Sequence, residues 1–279
     1  MLKTTFSRRA LLGALLAPGL LIAGSAQAAV TTWGYDILSG FTQSVIGGAT
    51  TNYPVPGTTS LSWGTSTGSG QSSLVINNPS ILGGSVDTYF GGVPPAAAPY
   101  LGFSTSLTHN NNPITGNTLT SATLRNAVTL TPTVPAGGAL ADQVVNFDIA
   151  FAETPNTAGT CAVLGSPTPC NDIFVLTSGL LNQTFMYDAG DGDGLLTYFV
   201  NIFPTTGGVL SILDNGVCSA AGQGNGCLGF TTAENQSTTL AFGFSISTNP
   251  LTTVPEPTVL ALLGLGLLGV GLSRRKVRV

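Results

Sequence analysis

"NTLTSATLRNAVTLTP", residues 117–132, places Ala122, Leu124, Val128 and Leu130 on one parity and Thr123, Arg125 and Thr129 on the other. A period of two over so many positions, rich in Thr, Val and Leu, is the pattern of a long strand with one face buried. Working outward, the same signature recurs in "TTWGYDIL" (31–38), "SSLVINN" (72–78), "QVVNFDIAFAETP" (143–155), "NDIFVLTS" (171–178), "LLTYFVNIFP" (195–204), "GVLSIL" (208–213) and "STTLAFGFSIS" (237–247). Clusters of Gly, Pro, Asn and Ser such as "PVPGTTS", "NNPSILGG" and "TVPAGGAL" punctuate these runs, and none carries a 3.6-residue period. The expected fold is all-β. It is a single antiparallel β-sandwich of jelly-roll or immunoglobulin-like type, with the Thr/Ser/Gly-rich stretch 40–70 as long loops.

Charge is distributed unevenly along the 279 residues. Lys3, Arg8 and Arg9 lie at the front and Arg274, Arg275, Lys276 and Arg278 at the back, leaving Arg125 as the one cation between. Against it stand eleven carboxylates, so the body from 29 to 255 carries a net charge of −10. Such a body repels phosphate backbones and excludes nucleic acid as a partner, while tolerating divalent cations.

The two ends read as addresses. Residues 1–28 combine a basic start, an apolar run from Ala10 to Ala23 and a small-x-small stop at Ala26-Gln27-Ala28, which predicts a signal peptide removed by signal peptidase. "SRRALL" (7–12) also resembles the twin-arginine motif, so Sec and twin-arginine export both remain open. At the other end Pro255 and Pro257 bracket Glu256 after Val254, a fourteen-residue apolar run follows from Val259 to Leu272, and the basic cluster closes the chain. At 1.5 Å per residue that run covers about 21 Å, short of a ~30 Å hydrocarbon core, so it holds the inner membrane only transiently. The expected organisation is a signal peptide (1–28), a β-sandwich domain (29–253) and a terminal sorting segment (254–279).

These tail residues, Val254, Pro255, Glu256, Pro257, Arg274, Arg275 and Lys276, resemble the PEP-CTERM sorting signal of Gram-negative bacteria. The resemblance implies processing by the membrane protease exosortase during export. In the body, "LTHNNNPITGNTLTSATL" (107–124) with "FAETPN" (151–156) and "CNDIF" (170–174) is similar to the THxN family of PEP-CTERM proteins, its motif met at Thr108, His109, Asn110 and Asn111, followed by Pro113. That resemblance implies secretion into an extracellular polysaccharide matrix and carries no established activity.

Read for themselves, residues 108–113 suggest a turn after the strand "GFSTSL", capped by Asn side chains and oriented by His109. The sharper alternative is a ligand loop in which His109 joins Glu153 and Asp172 around a metal or reads sugar hydroxyls. Cys161, Cys170, Cys218 and Cys227 form two C-x8-C pairs in Gly- and Pro-rich segments. Disulfides suit them best, with local pairing preferred over cross-pairing and over zinc. Asp188, Asp191 and Asp193 in "YDAGDGDGLL" offer hard oxygen ligands to Ca²⁺, although the same residues suit a hairpin turn. No organic cofactor is indicated.

Catalysis finds little support. "GTSTG" (64–68) has no strand–turn–helix context, the body has no Lys, and one His limits imidazole chemistry. Glu153 with Asp172 or Asp148 is the pairing a glycoside hydrolase would need. The expectation is an exported, non-catalytic surface or matrix protein. The alternatives are a carbohydrate-binding module, for which Trp33, Trp63, Tyr53, Tyr89 or Tyr100 must form an exposed platform, and a secreted hydrolase.

Overall fold

The computed structural model describes residues 29–156, 161, 170–178, 181–190, 194–205 and 209–252. The expected signal and tail helices lie outside them. Among the described residues no helix is long and apolar enough to cross a membrane.

The chain is mostly β-sheet. In order come β1 (Thr32–Ile46), β2 (Ala49–Asn52), β3 (Ser60–Trp63), β4 (Thr65–Ser66), β5 (Ser72–Asn77), β6 (Ser80–Asp87), β7 (Gly102–Asn111) and β8 (Ile114–Thr115). They are followed by β9 (Leu119–Val134), β10 (Gln143–Ala152), β11 (Asp172–Leu176), β12 (Gln183–Asp188), β13 (Leu195–Pro204), β14 (Ser211–Ile212), the short α1 (Asn215–Ala220), β15 (Leu228–Thr232) and β16 (Gln236–Ser247). One antiparallel sheet runs β14-β15-β11-β10-β9-β1-β2, with β6 also on β1; a second runs β12-β13-β16-β7-β5-β3; β4 and β8 form a small third.

The stretch 40–70 departs from the loop expectation. β1 continues to Ile46, and β2, β3 and β4 all fall within that stretch. Three register shifts against β9 let β1 bend, and its far edge is divided between β6 at one end and β2 at the other. Between them the backbones of Phe41 and Thr58 exchange hydrogen bonds. Gly40 makes this possible, since a Cβ there would stand 2.2 Å from the Pro56 carbonyl oxygen.

Side chains from both large sheets fill one core. Ile37, Leu124, Phe147 and Phe174 from the first meet Leu74, Leu107, Tyr198 and Phe244 from the second. Aromatic pairs lock parts of it, with Trp33 edge-on to Tyr198 at 5.1 Å and Phe174 stacked on Phe230 at 4.5 Å. The consequence for function lies at the edge of this core, where the chain passes from β15 in one sheet to β16 in the other through residues 233–235.

Candidate functional site

The residues "THNN" lie in a strand, which corrects the turn reading. β7 runs through Asn111, hydrogen-bonded to β5 on one side and β16 on the other, with His109 registered against Leu74 and Thr238. Strand pleating therefore divides the motif. Leu107, His109 and Asn111 point inward and are fully buried. Thr108 and Asn110 point outward into a polar ladder: Asn77 Nδ2 donates to Thr108 Oγ1 (2.7 Å), Asn110 Nδ2 donates to Ser73 Oγ (3.1 Å), and Ser237 Oγ donates to Asn110 Oδ1 (2.6 Å). The turn begins one residue later, where Asn112 Nδ2 donates to the Gln71 carbonyl and Pro113 accepts from Thr67.

Three carboxylates converge on the buried half of this motif. Glu153 follows β10, Asp172 opens β11 and Glu234 occupies the β15–β16 connection, and one oxygen of each lies within 4.8 Å of the others. Asp172 is fully buried, and its Oδ1 accepts from the Thr154 amide at 2.9 Å. Trp63 Nε1 donates to Glu153 Oε2 at 2.9 Å. Asn111 Nδ2 donates to the Thr232 carbonyl at 2.8 Å, tying the second sheet to the end of β15.

His109 approaches the three carboxylates from the opposite sheet and comes nearest to Asp172. Its ring stacks on Trp63 (5.9 Å, 9° between planes) and meets Phe151 edge-on at 4.9 Å. Nε2 stands 3.8 Å from Asp172 Oδ2, too long for a hydrogen bond. Among the described residues neither ring nitrogen has a hydrogen-bond partner and Asn111 Oδ1 meets no donor, while the Glu153 and Asp172 carboxyls hydrogen-bond to each other, which requires a proton on one of them.

Burial sets the protonation of these groups. It drives His109 down to about 3, so the imidazole is neutral and its approach to Asp172 is not an ion pair. Asp172 is pushed up to about 9, first by burial and then by the charge of Glu153. Burial also raises Glu153, and Trp63 partly offsets this. Glu234 rises to about 7 through burial and the Glu153 charge. With no cation facing them among the described residues, three carboxylates must hold protons or attract a positive ion.

Elsewhere the sequence-derived candidates scatter. Asp148 points outward from β10, where Thr123 Oγ1 and Ser178 Oγ donate to it, so it does not pair with Glu153. Asp188 is exposed and accepts from the Gly190 amide at 2.8 Å, an ordinary turn contact, while Asp191 and Asp193 lie outside the described residues. The cysteines pair locally, Cys161 with Cys170 and Cys218 with Cys227. Trp33 and Trp63 are buried, which removes both from any sugar-stacking platform. Tyr53 and Tyr89 are half-buried, and Tyr100 is exposed. Glu234 was not singled out from the sequence. Its available signal is rarity, since Glu153 and Glu234 are the only Glu residues of the body and both belong to the cluster.

The family comparison concerns the tail. A PEP-CTERM protein-sorting motif spans residues 253–276. The motif implies that exosortase processes the protein during export through a bacterial membrane. Comparison of the chain with curated proteins finds no match.

Proposed function

We propose that this is a non-catalytic surface or extracellular-matrix protein of a Gram-negative bacterium, a β-sandwich delivered by its sorting motif and associated with exopolysaccharide. The observation that carries this reading is where the chemistry-bearing residues sit. His109 and Asp172 are fully buried, and the His109 ring is packed against Trp63 and Phe151, an arrangement suited to holding a fold together. Two disulfides and a body of net charge −10 fit durability and solubility outside the cell.

A tag placed in an exposed body loop, followed by fractionation and intact-mass measurement, tests the reading. Expected is a surface or matrix fraction lacking residues 1–28 and everything beyond about Pro257, retained on the producer's own polysaccharide. A mature protein found soluble in the periplasm with its tail intact would overturn it. A second reading, a carbohydrate-binding module, draws on a different observation: Phe103 and Phe90 are 81% and 59% exposed and Tyr100 is also open to solvent. Saturable binding of defined oligosaccharides, lost in Phe103→Ala, would select that reading.

A further inference from the structure

We propose that Glu153, Asp172 and Glu234, with His109 Nε2 and Asn111 Oδ1, form a site for one divalent first-row cation, Mn²⁺ or Zn²⁺, that ties the two large sheets together. The carboxylate cluster alone would not establish this. The deciding observation is independent of it: His109 is 0% exposed, makes no hydrogen bond through either ring nitrogen, and stands with Nε2 3.8 Å from Asp172 Oδ2. Asn111 supplies a second, since its Oδ1 is buried and without a donor while its Nδ2 is held by Thr232. An unsatisfied buried nitrogen and amide oxygen are costly in a folded core, and a cation satisfies both while neutralising the carboxylates.

The donor set selects the ion. Carboxylate and amide oxygens suit Mn²⁺, Mg²⁺ and Ca²⁺, whereas an imidazole nitrogen suits the first-row transition ions, so a site holding both favours Mn²⁺ or Zn²⁺. Neutral imidazole is also the form that ligates. Outer contacts hold the ligands in place: Trp63 orients Glu153, the Thr154 amide orients Asp172, and the Cys161–Cys170 disulfide closes the chain two residues before Asp172. His109 and Asn111 come from the sheet of β7, and Asp172 from the sheet of β11. A bound ion would thus cross-link the two layers. This site differs from the 188–193 turn that the sequence suggested for Ca²⁺.

The test uses the full chain, stripped with EDTA and titrated separately with Mn²⁺, Zn²⁺, Ca²⁺ and Mg²⁺ by calorimetry and by thermal unfolding. Expected is one equivalent of Mn²⁺ or Zn²⁺, bound at least tenfold more tightly than Ca²⁺ or Mg²⁺, with a raised Tm. Asp172→Asn keeps an oxygen for the Thr154 amide and should weaken binding by more than the roughly 10–100-fold that losing an outer partner costs. Asp188→Asn should leave affinity unchanged. Pulsed electron paramagnetic resonance of the Mn²⁺ form adds a readout that needs no variant to fold: coupling to one imidazole ¹⁴N is expected and should vanish in His109→Gln. Failure of every ion to bind stoichiometrically, binding abolished by Asp188→Asn, or bound Mn²⁺ without nitrogen coupling would each overturn the proposal.

Discussion

Stripped of metal, the protein should lose stability as the pH rises from 5 to 8, the reverse of the usual trend for an acidic protein. Asp172 keeps its proton in the folded state to about 9, whereas an unfolded Asp releases it near 3.9. Across that window the folded state holds the extra proton, so each pH unit removes about 1.4 kcal/mol, or about 4 kcal/mol over three units. His109 works the other way. Its folded value lies near 3, so below about 6.5 only the unfolded chain takes up a proton, and raising the pH from 5 to 6.5 restores about 2 kcal/mol. The two together leave a net loss of about 2 kcal/mol, and the raised values of Glu153 and Glu234 push in the same direction. Urea unfolding in EDTA at half-unit pH steps measures it directly. Asp172→Asn should remove the largest part of the fall, leaving the rise due to His109 opposed only by Glu153 and Glu234. A wild-type stability that climbs steadily from pH 5 to 8 in EDTA would refute the reasoning, because it would mean that Asp172 is ionised in the fold.

Other consequences follow from packing. Trp63→Phe preserves a ring against His109 but removes the donor to Glu153 Oε2, and should cost about 1–3 kcal/mol in denaturant unfolding. Phe174→Ala empties a fully buried position stacked on Phe230 and should cost about 3–5 kcal/mol by the same assay. Gly40→Ala drives a methyl into the Pro56 carbonyl and should lower stability by about 1–3 kcal/mol, with hydrogen exchange rising at Phe41 and Thr58. Replacing Cys161 and Cys170 together with Ser opens a short loop and should lower stability by about 2.5 kcal/mol, with no change in the spacing between denaturant midpoints of the oxidised and reduced Cys218–Cys227 pair.

The β class and most strand positions were legible because alternation survives wherever one face is buried. Residues 117–132 show this well, as β9 keeps Leu124, Val128 and Leu130 inside. Elements with weak apolar faces escaped. β6 is largely exposed and reads as a Gly/Ser connector, β2 has no buried residue, and α1 is too short to show a helical period. The site was half legible. Glu153, Asp172 and His109 were candidates for convergence, but the polar run of Asn after His109 reads as a turn, because turns and Asn are so often associated. What overrode that reading is cross-strand bonding: the amides of Asn110 and Asn111 serve the ladder and the β15 carbonyl, contacts made with residues far along the chain. Glu234 could not be placed, since nothing local says that a connection crossing from one sheet to the other will bring its side chain to the cluster.

Arg125, the single cation between the two ends, sits in the middle of β9, paired to Gly40 of β1 on one side and Asn146 of β10 on the other. Trypsin-like proteases cut after Lys or Arg and need the chain locally unpaired and extended across their cleft. This body therefore offers them one target bond, located in the middle of a sheet where opening requires breaking ladders on both sides. Amine-directed chemistry fares no better, because the body has no lysine at all. For an exported protein, resistance to trypsin-like digestion is thus written into the placement of one arginine.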